Sequence, residues 1–101
     1  MSTSITRPRT EAKPKTERPK VYKVILLNDD YTPREFVVVV LRSVFRMTTD
    51  QAHGVMLTAH KRGVCVVAVY TREIAETKAT QATDMAAREG YPLMFTTEPE
   101  E

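Results

Sequence analysis

The sequence predicts a single small α+β domain in which three helices pack against a three-stranded sheet. Its 101 residues leave room for one domain and no second one. Two runs of β-branched and other apolar residues, and a short third run near the C-terminus, are typical of strands. The segments between these runs carry apolar residues three and four positions apart and begin at capping residues, which is typical of amphipathic helices. The predicted order is strand, helix, helix, strand, helix, strand.

The first strand is predicted over residues 21–27, because their sequence VYKVILL is nearly continuously apolar and suits a largely buried strand. The first helix follows a short polar turn. Thr32 is the expected N-cap, Pro33 fits the first helical position, and Glu35 completes a capping box. The apolar residues that follow repeat at helical spacing, which outweighs the strand preference of the four valines 37–40.

The second helix is predicted to begin at a capping box formed by Thr48 and Gln51. It ends at Gly63, which follows two cations that suit the C-terminal end of a helix. Its apolar face is formed by Ala52, Val55, Met56, Ala59 and His60. The second strand follows directly, over residues 64–70 with the sequence VCVVAVY.

The third helix is expected to begin after Thr71 as N-cap and to end at Gly90. A short strand over residues 93–97 completes the domain. The C-terminal segment 98–101 contains three glutamates, and we expect it to be frayed. We expect the inward face of the third helix to consist of Ile74, Ala75, Ala79, Ala82, Met85 and Ala86.

Residues 1–20 differ in composition from the rest of the chain. They contain six basic and two acidic side chains, a net charge of +4, whereas the whole chain carries +2. With three prolines and almost no large apolar side chains, this segment cannot bury enough surface to offset the entropy of ordering. We therefore expect a disordered basic tail before a folded domain over residues 21–101. The tail is either a solubilising arm or a segment that acts on a partner.

Composition also excludes several classes of protein. No apolar run approaches the roughly 20 residues that cross a bilayer, and none resembles a signal peptide, so neither a membrane protein nor a secreted precursor is expected. The single cysteine, Cys65, excludes an internal disulfide and a cysteine-rich zinc site, and makes the cytoplasm the default location. Because it lies in an apolar strand, we expect an inert core residue there.

Nucleic-acid binding is disfavoured because the folded part is net acidic and lacks an exposed aromatic run. Three isolated glycines exclude a glycine-rich phosphate loop. Nucleophilic catalysis is poorly supported, since Ser43, the one serine of the predicted domain, lies in mid-helix without a glycine elbow.

The densest polar cluster is Asn28-Asp29-Asp30, directly after the first strand. Such residues are common in strand-to-helix turns, and this is the simplest interpretation. However, two adjacent carboxylates repel each other unless a cation or hydrogen-bond donors lie nearby. Together with His60 they also allow a metal site of a hydrolase as an alternative. Taken alone, His60 is more typical of a satisfied core histidine.

Several blocks of the sequence resemble those of the ClpS adaptor family. The blocks are residues 22–33 (YKVILLNDDYTP), 35–37 (EFV), 56–57 (ML), 60–63 (HKRG), 69–78 (VYTREIAETK) and 90–93 (GYPL). The resemblance covers residues 21 to about 97 without a gap. It implies a three-stranded antiparallel sheet with three helices (β-α-α-β-α-β), a fold similar to the C-terminal domain of the ribosomal stalk protein L7/L12. It also implies an adaptor without catalytic activity or cofactor, which captures proteins by a destabilising N-terminal residue for ClpA, the AAA+ unfoldase of the ClpAP protease.

The resemblance assigns a role to the polar cluster. The α-amino group of a captured protein is expected to be held by Asn28, Asp30 and His60, with Asp29 helping through water or the adjoining backbone. This is chemically sensible, because a free α-amino group is mostly a cation at neutral pH and presents donors to these acceptors. The first side chain, which is Phe, Tyr, Trp or Leu, is expected in a pocket whose lining residues are Leu26, Thr32, Arg34, Val37, Met56, Ala59 and Leu93.

The resemblance further implies that Glu73 and Lys78 bind the unfoldase, although their pattern alone would indicate a solvated helix face.

Three residues depart from the usual pattern of the family. Arg34 replaces the usual Met, Ala59 replaces the usual Val, and Gly54 interrupts the second helix at a cost of about 1 kcal/mol relative to alanine. The deeper pocket at position 59 and the cation at its mouth lead us to expect a preference for aromatic first residues over Leu.

Overall fold

The computed structural model describes residues 19–101 of the chain. Six elements follow one another in the predicted order, which confirms the α+β fold: β1 (Val21–Leu27), α1 (Arg34–Phe45), α2 (Thr49–Arg62), β2 (Val64–Thr71), α3 (Arg72–Arg88) and β3 (Met94–Pro99). The tail predicted over residues 1–20 lies outside the described residues, apart from its last two positions.

The three strands form one antiparallel sheet in the order β2-β1-β3. Leu27 at the end of β1 lies between Val64 of β2 and Met94 of β3. A bulge in β2 leaves Val67 without a partner between the pairs of Val24 and Ile25. β1 is the central strand, and its residues Val24, Ile25 and Leu26 are buried, as its nearly continuously apolar sequence predicts.

The helices pack against one face of the sheet and enclose the core with it. Val24 and Leu26 of β1 belong to this core, whereas Ile25 between them points to the opposite face. Within this core, the ring centroids of Phe45 from α1 and Phe95 from β3 lie 5.5 Å apart. The opposite face of the sheet is open and carries partly exposed apolar side chains, among them Val64, Val66, Val69 and Met94.

The predicted capping box of α1 is wrong. Pro33 occupies the N-cap position without a side-chain hydrogen bond, and its carbonyl accepts from the N–H of Phe36 at 3.0 Å. The hydroxyl of Thr32 is engaged elsewhere, since it donates to Asp29 Oδ2 at 2.9 Å. The Thr32 hydroxyl, which the local sequence predicted to cap α1, is therefore bonded to the carboxylate of Asp29 in the preceding turn.

The predicted ends of α2 are confirmed. Thr48 and Gln51 form the reciprocal capping box, each side chain accepting from the backbone N–H of the other. Gly63 ends the helix with a φ of +91°, which a residue with a Cβ adopts only with strain. The carbonyl of Gly63 accepts from the N–H of Asn28 at 2.9 Å, so the end of α2 is tied to the end of β1.

The C-terminal third of the chain differs in detail from the prediction. Thr71 is at the N-cap of α3 but makes no side-chain cap bond, and Ile74 is 48% exposed instead of facing inward. The expectation of fraying after residue 97 is wrong, because β3 continues to Pro99. Glu98 pairs with Lys23 of β1 across the sheet, a non-local contact that the local sequence does not indicate.

Candidate functional site

A cavity of about 230 Å³ lies where β1 ends, between the first turns of α1 and the last turns of α2. All residues that the sequence assigned to the α-amino group and to the side-chain pocket line this one cavity. They are Leu26, Asn28, Asp29, Asp30, Thr32, Arg34, Val37, Met56, Ala59, His60 and Leu93. Its volume suits a single side chain better than a whole drug-sized molecule.

The inner part of the cavity is apolar. Leu26 of β1, Ala59 of α2 and Leu93 just before β3 are each no more than 2% exposed. Val37 and Met56 are also buried and complete the wall from α1 and α2. The periodicity of the helices and the strand directs these side chains into the core. They line the cavity because it opens from the core towards the surface.

The mouth of the cavity is polar. Asn28, Asp30, Arg34 and His60 are exposed there, whereas Asp29 is half-buried. An apolar recess with a few convergent polar groups at its opening is the usual form of a site that binds a small apolar group with a polar end.

Asp29 organises the turn between β1 and α1. Its Oδ1 accepts from the backbone N–H groups of Tyr31 at 2.8 Å and Thr32 at 2.7 Å, and its Oδ2 accepts from the Thr32 hydroxyl at 2.9 Å. These donors stabilise the carboxylate and so offset the repulsion from the adjacent Asp30. Both oxygens of Asp29 are thus engaged in the turn, while Asp30 remains at the exposed mouth.

The structure brings Asn28 and His60 together through the link between β1 and α2. The bond from Asn28 N–H to the carbonyl of Gly63 fixes the strand end against the helix end. His60 lies in the last turn of α2, just before this point. His60 is not the core histidine that its position taken alone would indicate, because it is exposed and lines the mouth of the cavity.

His60 and Arg34 are joined by a hydrogen bond that the sequence did not indicate. Nη2 of Arg34 lies 2.9 Å from Nε2 of His60. The two residues are 26 positions apart on different helices, and no local pattern connects them. The contact follows from tertiary packing, which places the start of α1 beside the end of α2.

Glu73 and Lys78 of α3, the positions expected to bind the unfoldase, are not among the lining residues of the cavity. Glu73 is exposed. Lys78 is half-buried, and its Nζ donates to the backbone carbonyl of Val44 at 2.9 Å. This bond connects α3 to the C-terminal turn of α1. Lys78 therefore stabilises the packing of these two helices, although it is still partly accessible at the surface of α3.

Neither Cys65 nor Ser43 lines the cavity. Cys65 is half-buried, and burial raises the pKa of its thiol, an effect that the nearby Arg62 guanidinium partly opposes. Such a thiol stays protonated at neutral pH and is a poor nucleophile. Within residues 19–101, no three His, Cys, Asp or Glu side chains come together in a way that could hold a metal ion. No helix in the part of the chain that the structure covers is long and apolar enough to cross a membrane.

Comparison with known proteins identifies the family. Residues 17–96 match the family described as ATP-dependent Clp protease adaptor protein ClpS. An ATP-dependent Clp protease adapter protein ClpS 2 from Mesorhizobium japonicum is 69% identical over 96 residues, which cover 95% of each chain. A ClpS 1 from Bradyrhizobium diazoefficiens is 65% identical over the full length of both chains.

A solved structure shares the fold. Agrobacterium tumefaciens ClpS2, determined with bound L-phenylalaninamide, superposes with a TM-score of 0.81 and 66% identity, covering 82% of this chain and all of that one. The family match spans most of the sequence, and the relatives are similar along nearly their whole lengths. The chain therefore belongs to the ClpS family of ATP-dependent Clp protease adaptor proteins.

Proposed function

We propose that this protein is a substrate adaptor that binds proteins through a free α-amino group and a bulky apolar N-terminal residue, and delivers them to the AAA+ unfoldase ClpA for degradation. The observation that carries the proposal is a cavity that has hydrogen-bond acceptors at its mouth and buried apolar side chains inside. A protein N-terminus has the matching form, with a cation at one end and the first side chain beside it.

In this proposal, Asn28, Asp30 and His60 hold the α-amino group. The group is mostly a cation at neutral pH and carries three N–H donors, which an amide oxygen, a carboxylate and a neutral imidazole can accept. A charge-assisted bond to Asp30 contributes most, because bonds with an ionised partner are the stronger ones. Asp29 acts indirectly, since its carboxylate holds the turn that carries Asp30.

The first side chain enters the apolar part of the cavity, between Leu26, Ala59 and Leu93. L-phenylalaninamide, the ligand of the Agrobacterium relative, combines a free α-amino group with a benzyl side chain and so resembles the first residue of such a substrate. We extend this chemistry to substrates that begin with Phe, Tyr, Trp or Leu. Val37, Met56, Thr32 and the stem of Arg34 complete the lining.

Delivery requires parts of the chain outside the cavity. We assign contact with ClpA to the surface of α3 that carries Glu73 and Lys78, and to the basic tail, residues 1–20, which precedes an adaptor domain over residues 21–101. Because Glu73 and Lys78 do not line the cavity, one molecule can hold substrate and unfoldase at the same time.

We propose no catalytic step, no cofactor and no contact with membrane or nucleic acid for this protein. The groups at the cavity mouth are suited to holding a cation. The thiol of Cys65 and the hydroxyl of Ser43, which could act as nucleophiles, do not line the cavity. The cytoplasm is the proposed place of action, as the single cysteine indicated.

The test is a set of labelled peptides that differ only in residue one, each titrated with the full chain. Peptides that begin with Phe, Tyr, Trp or Leu should bind, and those that begin with Ala or Asp should not. Acetylation of the Phe peptide should weaken binding at least about 30-fold, because losing a buried charged partner costs about 2 kcal/mol or more. Equal affinities for the free and the acetylated peptide would exclude the proposal.

Two variants distinguish an effect of the carboxylate at the cavity mouth from an effect of the protein's overall charge. Asp30→Ala should abolish binding of the Phe peptide. Asp84→Ala removes an exposed carboxylate of α3 that does not line the cavity, and it should leave the affinity unchanged. If both variants bind as the wild type does, the mouth does not hold the α-amino group.

A further inference from the structure

The bond between Arg34 and His60 engages a group that substrate binding needs. The guanidinium of Arg34 has only N–H donors and keeps its charge at every accessible pH. At 2.9 Å from Nη2, the Nε2 of His60 must therefore be the acceptor. It follows that His60 is neutral in this contact and carries its proton on Nδ1.

A neutral imidazole has one acceptor nitrogen. While Nε2 accepts from Arg34, Nδ1 is a donor and has no lone pair for a substrate. If the proton moves to Nε2 so that Nδ1 can accept, the bond to Arg34 is lost as well. His60 can thus accept from the guanidinium or from an α-ammonium group, but not from both, whichever nitrogen the substrate uses.

We infer that Arg34 is an internal competitor of the substrate: in the free protein its guanidinium takes the place of the α-ammonium group on His60, and it must swing away before an N-terminus can bind. This inference rests on the proposed function. Both competing groups are cations with N–H donors, so one replaces the other at the same acceptor. Arg34 begins α1 and is exposed, so its side chain has open solvent to move into.

The competition lowers the apparent affinity by the fraction of molecules in which Arg34 has left His60. This loss applies to every first residue, because the α-amino group is common to all of them. A change in the apolar wall would instead alter only the preference between first residues. The two effects can therefore be told apart with a Phe peptide and a Leu peptide.

The first measurement compares wild type with Arg34→Met in the full chain. Removing the guanidinium should tighten the binding of both peptides by a factor of about three to ten, the range expected for a single net hydrogen bond. The Leu peptide should gain the larger part of that range, because a guanidinium displaced from His60 can cover an aromatic ring but not a Leu side chain. Arg42→Met is the matched control, because Arg42 is an exposed arginine of the same helix that does not line the cavity. It should leave both affinities unchanged.

Salt separates direct competition from simple charge repulsion. The screening length falls from about 10 Å at 0.1 M to about 3 Å at 1 M salt. The gain of Arg34→Met should persist in 1 M salt if the guanidinium occupies His60 directly. If the gain is absent, or vanishes in 1 M salt, Arg34 is not an internal competitor.

A second measurement detects the hydrogen bond between Arg34 and His60 in the absence of a peptide. In long-range ¹H–¹⁵N spectra of the wild type at pH 8, the ring of His60 should be protonated on Nδ1 and unprotonated on Nε2. Addition of L-phenylalaninamide should change the ring signals of His60 in the wild type, with His53, exposed on α2, as the internal reference. A ring of His60 protonated mainly on Nε2 in the free wild type would overturn the inference.

The acetylated Phe peptide keeps the two proposals distinguishable. If it binds as well as the free peptide, the proposed function itself fails. If only the free peptide binds, but Arg34→Met binds it no better than wild type, the function holds and the competition by Arg34 does not.

Discussion

Among single residues, the neighbouring Asp29 and Asp30 have different roles: the first holds the turn, and the second is available at the mouth of the cavity. Asp29 accepts three hydrogen bonds within its own turn, and Asp30 is exposed at the mouth of the cavity. The sequence predicted the turn and the strain between adjacent carboxylates. It did not predict which carboxylate is engaged, because this depends on the backbone path through Tyr31 and Thr32.

Asp29→Ala should lower both stability and peptide affinity. The substitution leaves two backbone N–H groups and one hydroxyl without their acceptor, and we expect a loss of about 1 to 2 kcal/mol in the free energy of unfolding. Asp30→Ala should leave that free energy nearly unchanged while abolishing peptide binding. Urea unfolding and peptide titration of both variants provide the check. If Asp29→Ala is as stable as wild type, Asp29 does not organise the turn.

Ala59 should set the preference between aromatic and Leu first residues. Its side chain is buried in the cavity wall, so Ala59→Val fills space that an aromatic ring can use and a Leu side chain leaves empty. A methylene-sized void costs about 1 kcal/mol, so the variant should raise the affinity for Leu relative to Phe about fivefold. Ala87→Val, on the exposed side of α3, is the control. An unchanged Leu-to-Phe ratio in Ala59→Val would refute this role of the pocket wall.

Among the helices and strands, those with local signals were predicted best. The reciprocal cap of Thr48 and Gln51 and the left-handed Gly63 are local features, and both ends of α2 agree with the sequence. The cap of α1 was mispredicted because Asp29 from the preceding turn engages Thr32. The length of β3 was underestimated because its last residues are held by pairing with β1, far away in the chain.

The tie between α3 and α1 leads to a prediction for Lys78. Its Nζ donates to the carbonyl of Val44, one of the last carbonyls of α1, which have no partner within the helix. The positive charge also suits this helix end. Lys78→Ala should therefore lower the free energy of unfolding by about 1 kcal/mol, whereas Glu73→Ala, at an exposed position, should not change it. Urea unfolding of both variants is the measurement, and equal stability of wild type and Lys78→Ala would contradict the structural role.

For the molecule as a whole, the cavity is assembled from three separate parts of the chain, the first of which runs from the end of β1 through the turn into α1. The end of α2 and Leu93 are the other two parts. The pattern of apolar residues predicted the elements but not which ends would meet. The resemblance to ClpS supplied that grouping, and the structure added the contact of Arg34 with His60, which depends on packing alone.

Capture and delivery should be separable by truncation. Deleting residues 1–17 leaves the cavity and all six elements intact, since β1 begins at Val21. The affinity for a Phe peptide should be unchanged, while degradation of a Phe-initiated protein by ClpAP in the presence of the truncated adaptor should no longer be stimulated. Stimulation at the full rate by the truncated chain would show that the tail is only a solubilising arm.

The central claim is that one cavity binds an N-terminal residue by its α-amino group and its apolar side chain. The most direct test is an NMR titration of the full chain with L-phenylalaninamide and, separately, with N-acetyl-L-phenylalaninamide. The free amine should shift the signals of Asn28, Asp30, His60 and Leu93 in a saturable manner, and the acetylated compound should leave them unchanged at the same concentrations. Equal shifts with both compounds, or shifts from the free amine that lie only outside the cavity, would contradict the claim.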